Sequence, residues 1–350
     1  MHVSAERLEM PLERPFRISR GTQEQARSLL VTVEHDGITG IGEAAPDSSG
    51  FYGESVETML AALPRLSEAL GDDLWQREDA LAAMEHAVHH GHGALKSALD
   101  MALWDYAGKR LGAPVYRLLG LDPARAPVSS FTIGIDTPDR MAEVASRSPQ
   151  WSILKLKVGT PDDLETLRAV RGATNVTLRV DANTAWTPKE ALARIEALAP
   201  FGVELVEQPV AAHDLEGLRF VRERSPLPII ADESCVTLTD IARVADCADG
   251  INIKLAKCGG ISNALKLIAA ARAHSLSVML GCMVSSSVAI TAAAQLSPLV
   301  DYADLDGAAL LAADPFSGVA FGPGGKLLLP EAPGLGVHRR DETRRQVRAE

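Results

Sequence analysis

Charged side chains that can do chemistry recur at intervals along the second half of this 350-residue chain: Lys157, Asp181, Glu207, Asp232, Lys254, Asp304 and Asp306. Asp181, Glu207 and Asp232 each close a short apolar run. Three carboxylates with no histidine among them suit a hard divalent ion that prefers oxygen, Mg2+ above all. An aspartate after a strand also commonly caps the next helix. Capping accounts for any one of these acids and less well for three on consecutive strands. Asn183 and Glu233, which follow Asp181 and Asp232, are read as partners that orient the ligands.

The lysines decide what such a metal would be used for. In Leu154–Val158 the two-residue period of a strand places Lys155 and Lys157 on one face, with Leu154, Leu156 and Val158 on the other. Two ammonium groups held close and partly desolvated lower each other's pKa, so one of them can act as a neutral base near pH 7. Lys254 ends a later apolar run and would approach from across the three acids, serving the opposite face of a substrate carbon. Taken singly, Lys155 and Lys157 read more readily as a solvated strand edge and Lys254 as a snorkelling side chain; it is the three together that point to chemistry.

Two patterns of elements must position these groups. Residues 1–125 read as strands followed by helices, an α+β lobe. Leu29–Glu34 and Ile38–Glu43 flank Asp36-Gly37, a strong hairpin signal because both residues tolerate positive φ. Leu95, Leu99, Ala102, Leu103 and Tyr106 form one apolar stripe, predicting an amphipathic helix that ends near Gly112 and Pro114. From residue 126 to 319 strands and helices alternate. The predicted strands are Val128–Ile133, Ile153–Val158, Val176–Val180, Val203–Val206, Pro228–Ile230, Ile251–Ile253, Ser277–Leu280 and Tyr302–Leu305. Thr187-Pro188-Lys189-Glu190 marks one helix start, with a capping box and proline at the first turn. Eight strands alternating with helices imply a closed parallel TIM-type barrel, whose strand ends surround one mouth.

Composition excludes several classes. A net charge of −11 without a basic run argues against nucleic acid or an anionic membrane as partner. The four cysteines form no CxxC pair, which disfavours a disulfide framework or structural zinc and fits a reducing cytoplasm. The N-terminal stretch lacks the pattern of a signal peptide and no apolar run spans a bilayer, so a soluble cytoplasmic protein is expected. No GxGxxG or GxxxxGK[ST] follows a strand. His86, His89, His90 and His92 have a metal-like spacing, but without a Cys or acid ligand nearby they read as a solvated helix end.

The motifs Lys155-Leu-Lys157, Asp181-Ala-Asn183, Glu207-Gln208-Pro209, Asp232-Glu233-Ser234 and Asn252-Ile-Lys254-Leu-Ala-Lys257-Cys-Gly259-Gly260 resemble those of the enolase superfamily, muconate-lactonising subgroup. The resemblance spans essentially the whole chain. It implies a modified (β/α)7β barrel over residues 126–319, with an N-terminal α+β capping domain over 1–125 that the C-terminal tail, 320–350, completes. It further implies that Asp181, Glu207 and Asp232 ligate Mg2+, that Lys157 and Lys254 are the acid/base pair, and that Lys155 helps to hold a substrate carboxylate.

That subgroup contains several reactions, so the substrate must be read elsewhere. In Tyr302-Ala-Asp304-Leu-Asp306-Gly307 the two acids alternate onto one face, where they can share a cation. This segment resembles the L-Ala-D/L-Glu dipeptide epimerases, in which such a pair holds the α-ammonium group. Met279–Val284 and Asp232–Cys235 resemble the same enzymes, implying that Cys282 and Met283 line the substrate pocket, and Thr132 matches a substrate contact. Pro15–Gly21 resembles a mobile loop that closes over the barrel, with Arg20 matching an arginine for a glutamate side chain; Arg14 and Arg17 are neighbours that could substitute. The loop Asp47–Glu54, with Phe51 and Tyr52, would close the other side.

The resemblance thus implies an isomerase, a Mg2+-dependent epimerase that inverts a dipeptide, L-Ala-D/L-Glu from cell-wall peptide, by two-lysine proton transfer through a metal-stabilised enediolate. The alternatives are an N-acylamino acid racemase and a lyase or cycloisomerase of the o-succinylbenzoate synthase or muconate cycloisomerase type. The expected partner is a small-molecule dipeptide, and the reading allows a homo-oligomer.

Overall fold

The computed structural model describes residues 1–340. The chain begins with an antiparallel meander, β1 (His2–Ile18), β2 (Gly21–His35) and β3 (Ile38–Ala44), followed by helices α1 (Val56–Glu68), α2 (Arg77–Ala87) and α3 (Gly93–Leu111). The predicted β2–β3 turn is present, with Asp36 and Gly37 at φ of 50° and 74°, so the strand twist runs through a two-residue loop. β1 carries no apolar run. Only Leu8, Met10 and Leu12 are buried along it, at alternate positions, and pairing with β2 recruits the rest.

The helix predicted from Leu95 to Tyr106 exists, but it is not amphipathic: every residue of α3 from Ala94 to Gly108 is buried. Its polar positions face other parts of the protein rather than water. Asp100 accepts from Ser262 N and Oγ, at 2.9 and 2.6 Å, and Asp105 accepts from Ile41 N at 2.9 Å and Leu335 N at 2.8 Å. A periodicity count scores such residues as a solvent face, because it registers polarity and not its partner. The helix stops where predicted, at Gly112 in the left-handed conformation.

A short helix α4 (Val115–Leu118) leads into the second unit. Its strands are β4 (Phe131–Ile133), β5 (Ile153–Lys157), β6 (Thr177–Asp181), β7 (Val203–Glu207), β8 (Ile229–Ala231), β9 (Gly250–Lys254), β10 (Ser277–Gly281) and β11 (Tyr302–Asp304). The helices between them are α5 (Pro138–Ser146), α6 (Asp163–Ala173), α7 (Pro188–Leu198), α8 (Leu215–Arg222), α9 (Ile241–Val244), α10 (Leu255–Cys258) with α11 (Ile261–Ala273), and α12 (Ser287–Ala294). All neighbouring strands are parallel in the order β4 to β11, and the Ser130 N–H, bonded to Ala303 O at 3.1 Å, joins the two ends of the sheet. Among the described residues no α-helix follows β11, which gives the (β/α)7β form. The predicted strands each fall on an observed one, and α7 starts at Pro188 with the Thr187–Glu190 capping box formed.

The segment after β11 serves both parts of the molecule. Gly325 O accepts from Ser129 N at 2.9 Å at the start of the barrel, and farther on Leu335 binds Asp105 of α3 and, at 3.0 Å, Gln295 at the end of α12. Residues 341–350 of the expected tail lie outside the described residues. His86 is exposed in the last turn of α2 and His89 and His90 are exposed beyond it, as a solvated helix end requires; His92 instead begins α3 with φ of 54°.

Two contacts fix β3, one on the barrel and one on α3. Glu43, buried at the end of β3, accepts from Ser286 N and Oγ and from Ala289 N at the start of α12, at 2.5–3.3 Å. Gly40 and Gly42 bring β3 so close to α3 that a Cβ at Gly42 would overlap the Ala98 carbonyl. Gly42→Val should therefore destabilise the protein by about 1–3 kcal/mol through overpacking, read as a lower urea midpoint with an unchanged slope.

Candidate active site

Parallel register aligns the chemical residues at one end of the barrel. Lys157 pairs with Asp181 across β5 and β6, and Asp181 with Glu207 across β6 and β7; Asp232 follows β8 directly. Asp181, Glu207 and Asp232 are each 0% exposed, and their carboxylate oxygens lie within 4.8 Å of one another. Lys157 Nζ reaches Asp181 at 2.6 Å and Lys254 Nζ reaches Asp232 at 2.8 Å. Since β6, β7 and β8 lie between β5 and β9, the two lysines flank the triad.

The donor chemistry fits a hard dication such as Mg2+: three buried carboxylates converge, and Glu207 Oε2 and Asp232 Oδ2 have no hydrogen-bond donor of good geometry, only ammonium groups at ion-pair distance. Three acids in one dry site cannot all ionise at their ordinary pKa. Burial, and Asp181 beside it, push Glu207 up to about 8. Burial acts the same way on Asp232, but Lys254 and Lys257 outweigh it and hold that carboxyl well below its usual range. Asp181 is likewise lowered, with Lys157 and Lys155 overcoming burial.

Crowding of two ammonium groups does not depress Lys155. Burial pulls its pKa down, but Asp304, Glu207 and Asp181 surround it at 2.7, 2.7 and 3.2 Å and raise it well above the ordinary value. Lys254 is raised in the same way, Asp232 and Glu207 outweighing burial.

A pocket of about 340 Å3 opens above these groups. Thr132, Lys155, Lys157, Asn183, Lys254, Cys282, Met283, Asp304, Asp306 and Arg20 all contribute to its wall, whereas Arg14 and Arg17 do not. Asp304 and Asp306 are brought together, but neither is free: Asp304 accepts from Lys155 at 2.7 Å and Ser130 Oγ at 2.6 Å, and Asp306 accepts from Thr132 N at 2.5 Å. Burial and the neighbouring Asp304 push Asp306 up to about 7. Arg20 stands at the β1–β2 turn, donates from Nη1 to Glu233 at 2.6 Å and to Asn183 O at 3.0 Å, and lies 4.7 Å from the Phe51 ring. Glu233 and Asn183 thus meet behind the triad, where Asn183 Nδ2 donates to Glu233 at 3.3 Å and Asn183 N to Asp181 at 2.9 Å.

Three supporting residues stand in the quoted motifs, but the sequence reading gave them no role. Asn252 donates to Glu207 at 2.9 Å, in space left by the missing side chain of Gly281; its position two before Lys254 places it on the same strand face, a signal that was available. Gln208 accepts from Asp232 N and Ser234 N at 2.9 and 3.1 Å, fixing the ends of β7 and β8. Lys257 binds Asp232 Oδ1 and three backbone carbonyls, those of Asp232, Cys235 and Asn252, from the first turn after β9, and nothing in its local sequence marks it as buried.

Residues 2–120 match the family described as mandelate racemase / muconate lactonizing enzyme, N-terminal domain, and residues 139–343 match enolase C-terminal domain-like. The chain is 39% identical over 331 residues to an L-Ala-D/L-Glu epimerase of Bacteroides thetaiotaomicron, covering 94% of this chain and 85% of that protein. A dipeptide epimerase of Cytophaga hutchinsonii, solved with Mg and D-Ala-L-Val, superposes with TM-score 0.92 at 31% identity over 97% of this chain and 96% of that one. An N-succinyl Arg/Lys racemase of Bacillus cereus gives 0.91 at 30% identity, over 98% and 97%.

Were the triad to take up Mg2+, the ion would have to expel the proton from Glu207. Its affinity, measured by calorimetry, should rise by up to tenfold per pH unit below about 8 and level off above that value. Asp181→Asn should abolish the Mg2+-dependent rise in Tm; binding that ignores pH and survives this substitution would place the ion elsewhere.

Proposed function

The chain belongs to the enolase superfamily, in its mandelate racemase / muconate lactonizing branch, and we propose that it epimerises dipeptides, with L-Ala-D/L-Glu as the substrate. The observation that carries this reading is the pairing of two lysines astride a buried acid triad with Asp304 and Asp306 in the same pocket wall. Asp181, Glu207 and Asp232 would hold the Mg2+, which would supply Lewis-acid stabilisation of the negative charge developing on the substrate's carboxylate. In each direction one lysine accepts the substrate's α-proton at Nζ while the other, as an ammonium, donates from the opposite face, and the centre inverts.

The remaining groups recognise the ends of the substrate. Lys155 joins the triad to Asp304 and, as a fixed cation, helps to hold the reacting carboxylate. The dipeptide's α-ammonium would be drawn to Asp306, which gains a counter-ion there and ionises fully. Arg20 would offer its guanidinium to an acidic second side chain, since it lines the pocket and only its Nη1 is held by Glu233 and Asn183. The N-succinyl racemase relative keeps an N-acylamino acid reading in view; that substrate class lacks the α-ammonium that the aspartates would hold.

Two measurements test this. In D2O, Lys157→Ala and Lys254→Ala should each lose net epimerisation, while each still exchanges the α-proton of only one, and a different, epimer; wild-type turnover by both variants would refute the two-lysine mechanism. N-acetylating the dipeptide removes a charge-assisted contact worth about 1.5–3 kcal/mol, so kcat/KM should drop roughly 10- to 150-fold. Faster turnover of N-acylated amino acids than of free dipeptides would overturn the dipeptide assignment and leave the metal site untouched.

A further inference from the structure

Glu233 follows a residue of the triad without joining it. Its carboxylate is buried, and Oε1 takes the Nη1 of Arg20 at 2.6 Å together with the amide of Asn183 at 3.3 Å. A second acceptor for the same Nη1 is the Asn183 carbonyl, at 3.0 Å, which also accepts from Ser19 Oγ at 3.0 Å. That carbonyl belongs to the first of two consecutive residues in the left-handed region, Asn183 and Thr184, with φ of 44° and 69°. The Phe51 ring covers the guanidinium at 4.7 Å. One nitrogen and one face of Arg20 are therefore fixed, while Nε has no partner and the side chain keeps 19% of its surface exposed in the pocket.

We propose that Glu233 is a positioning residue for substrate selection: with the Asn183 carbonyl it holds Nη1 from behind, so that the rest of the guanidinium is set to receive the carboxylate of an acidic second residue. This rests on the assignment of Arg20 made above. Two effects of opposite sign separate the proposal from a simpler one. If Glu233 only competes for the charge of Arg20, removing its charge strengthens binding of an acidic side chain. If it orients the fork, removing it lets the arginine turn, and the acidic preference falls, because two-point recognition depends on geometry.

The experiment uses the full-length Mg2+-loaded enzyme and the ratio of kcat/KM for L-Ala-L-Glu to that for L-Ala-L-Leu. In Glu233→Gln this ratio should fall at least tenfold, chiefly through KM for the acidic substrate. In Arg20→Ala it should fall at least as far, and the double variant should fall no further than Arg20→Ala, since one residue acts through the other. Arg20→Lys, which keeps the charge and loses the fork, should also lose the preference. An unchanged or increased ratio in Glu233→Gln, additive losses in the double variant, or a wild-type ratio in Arg20→Lys would each overturn the proposal. A wild-type enzyme with no acidic preference would overturn the Arg20 assignment itself, and this inference with it.

Discussion

Three carboxylates gathered in one buried site are the constraint around which this molecule is arranged. An ionised carboxylate moved out of water loses several kcal/mol of hydration even after relaxation, and here Asp181, Glu207 and Asp232 are stripped together. The barrel answers with cations on every side: Lys157 on Asp181, Lys155 on Asp181 and Glu207, Lys254 and Lys257 on Asp232. Removing one member leaves an uncompensated buried charge, so a substitution at any of these positions is costly. The same arrangement sets two lysines on either side of a site built to concentrate negative charge, which makes proton chemistry next to a carboxylate the natural use of it.

The first lobe belongs to this scheme because the β1–β2 turn and the loop after β3 form part of the pocket wall. Arg20 and Phe51 come from separate loops of the first lobe and meet over the barrel mouth, and Arg20 is tied down to Glu233 and Asn183 beside the triad. Glu43 anchors the same lobe to the start of α12, the helix that follows the Cys282–Met283 wall of the pocket. Lobe and barrel thus share buried polar contacts as well as apolar packing. Misplacing the lobe would take Ser286 and Ala289 from Glu43 and Ser262 from Asp100 in a buried interface, a cost of about 1–3 kcal/mol per group, so these contacts select one docking over its neighbours.

Asp304 and Asp306 illustrate how one pair of residues divides its work. The first is spent on Lys155 and Ser130, inside the charge network, and the second is held at its rim by a backbone N–H from Thr132. Their alternation along the chain is the same in either role. Only the neighbours decide that Asp304 ionises readily, Lys155 overcoming its burial, while burial and Asp304 itself raise Asp306.

Much of this was legible in the order of residues. Strand and helix periodicities mark all eight barrel strands, and the step of one acid per strand from Asp181 to Asp232 places a triad at one mouth, because in a parallel barrel successive strand ends must adjoin. The period of two also puts Lys155 and Lys157 on one face, and the Asp36-Gly37 pair dictates its hairpin. These are local rules acting within a few residues, so sequence suffices for them. What tertiary structure alone decided concerns partners far apart in the chain. The polar residues of α3 face Ser262, Ile41 and Leu335 rather than water; Lys155 is raised rather than depressed because Asp304, 149 residues on, closes over it; Arg20 rather than Arg14 or Arg17 reaches the pocket, and its nearest anion is Glu233. Charge and burial are sums over everything within a few ångströms in space. A chain read in order gives the terms of that sum, and folding decides which of them are brought within range.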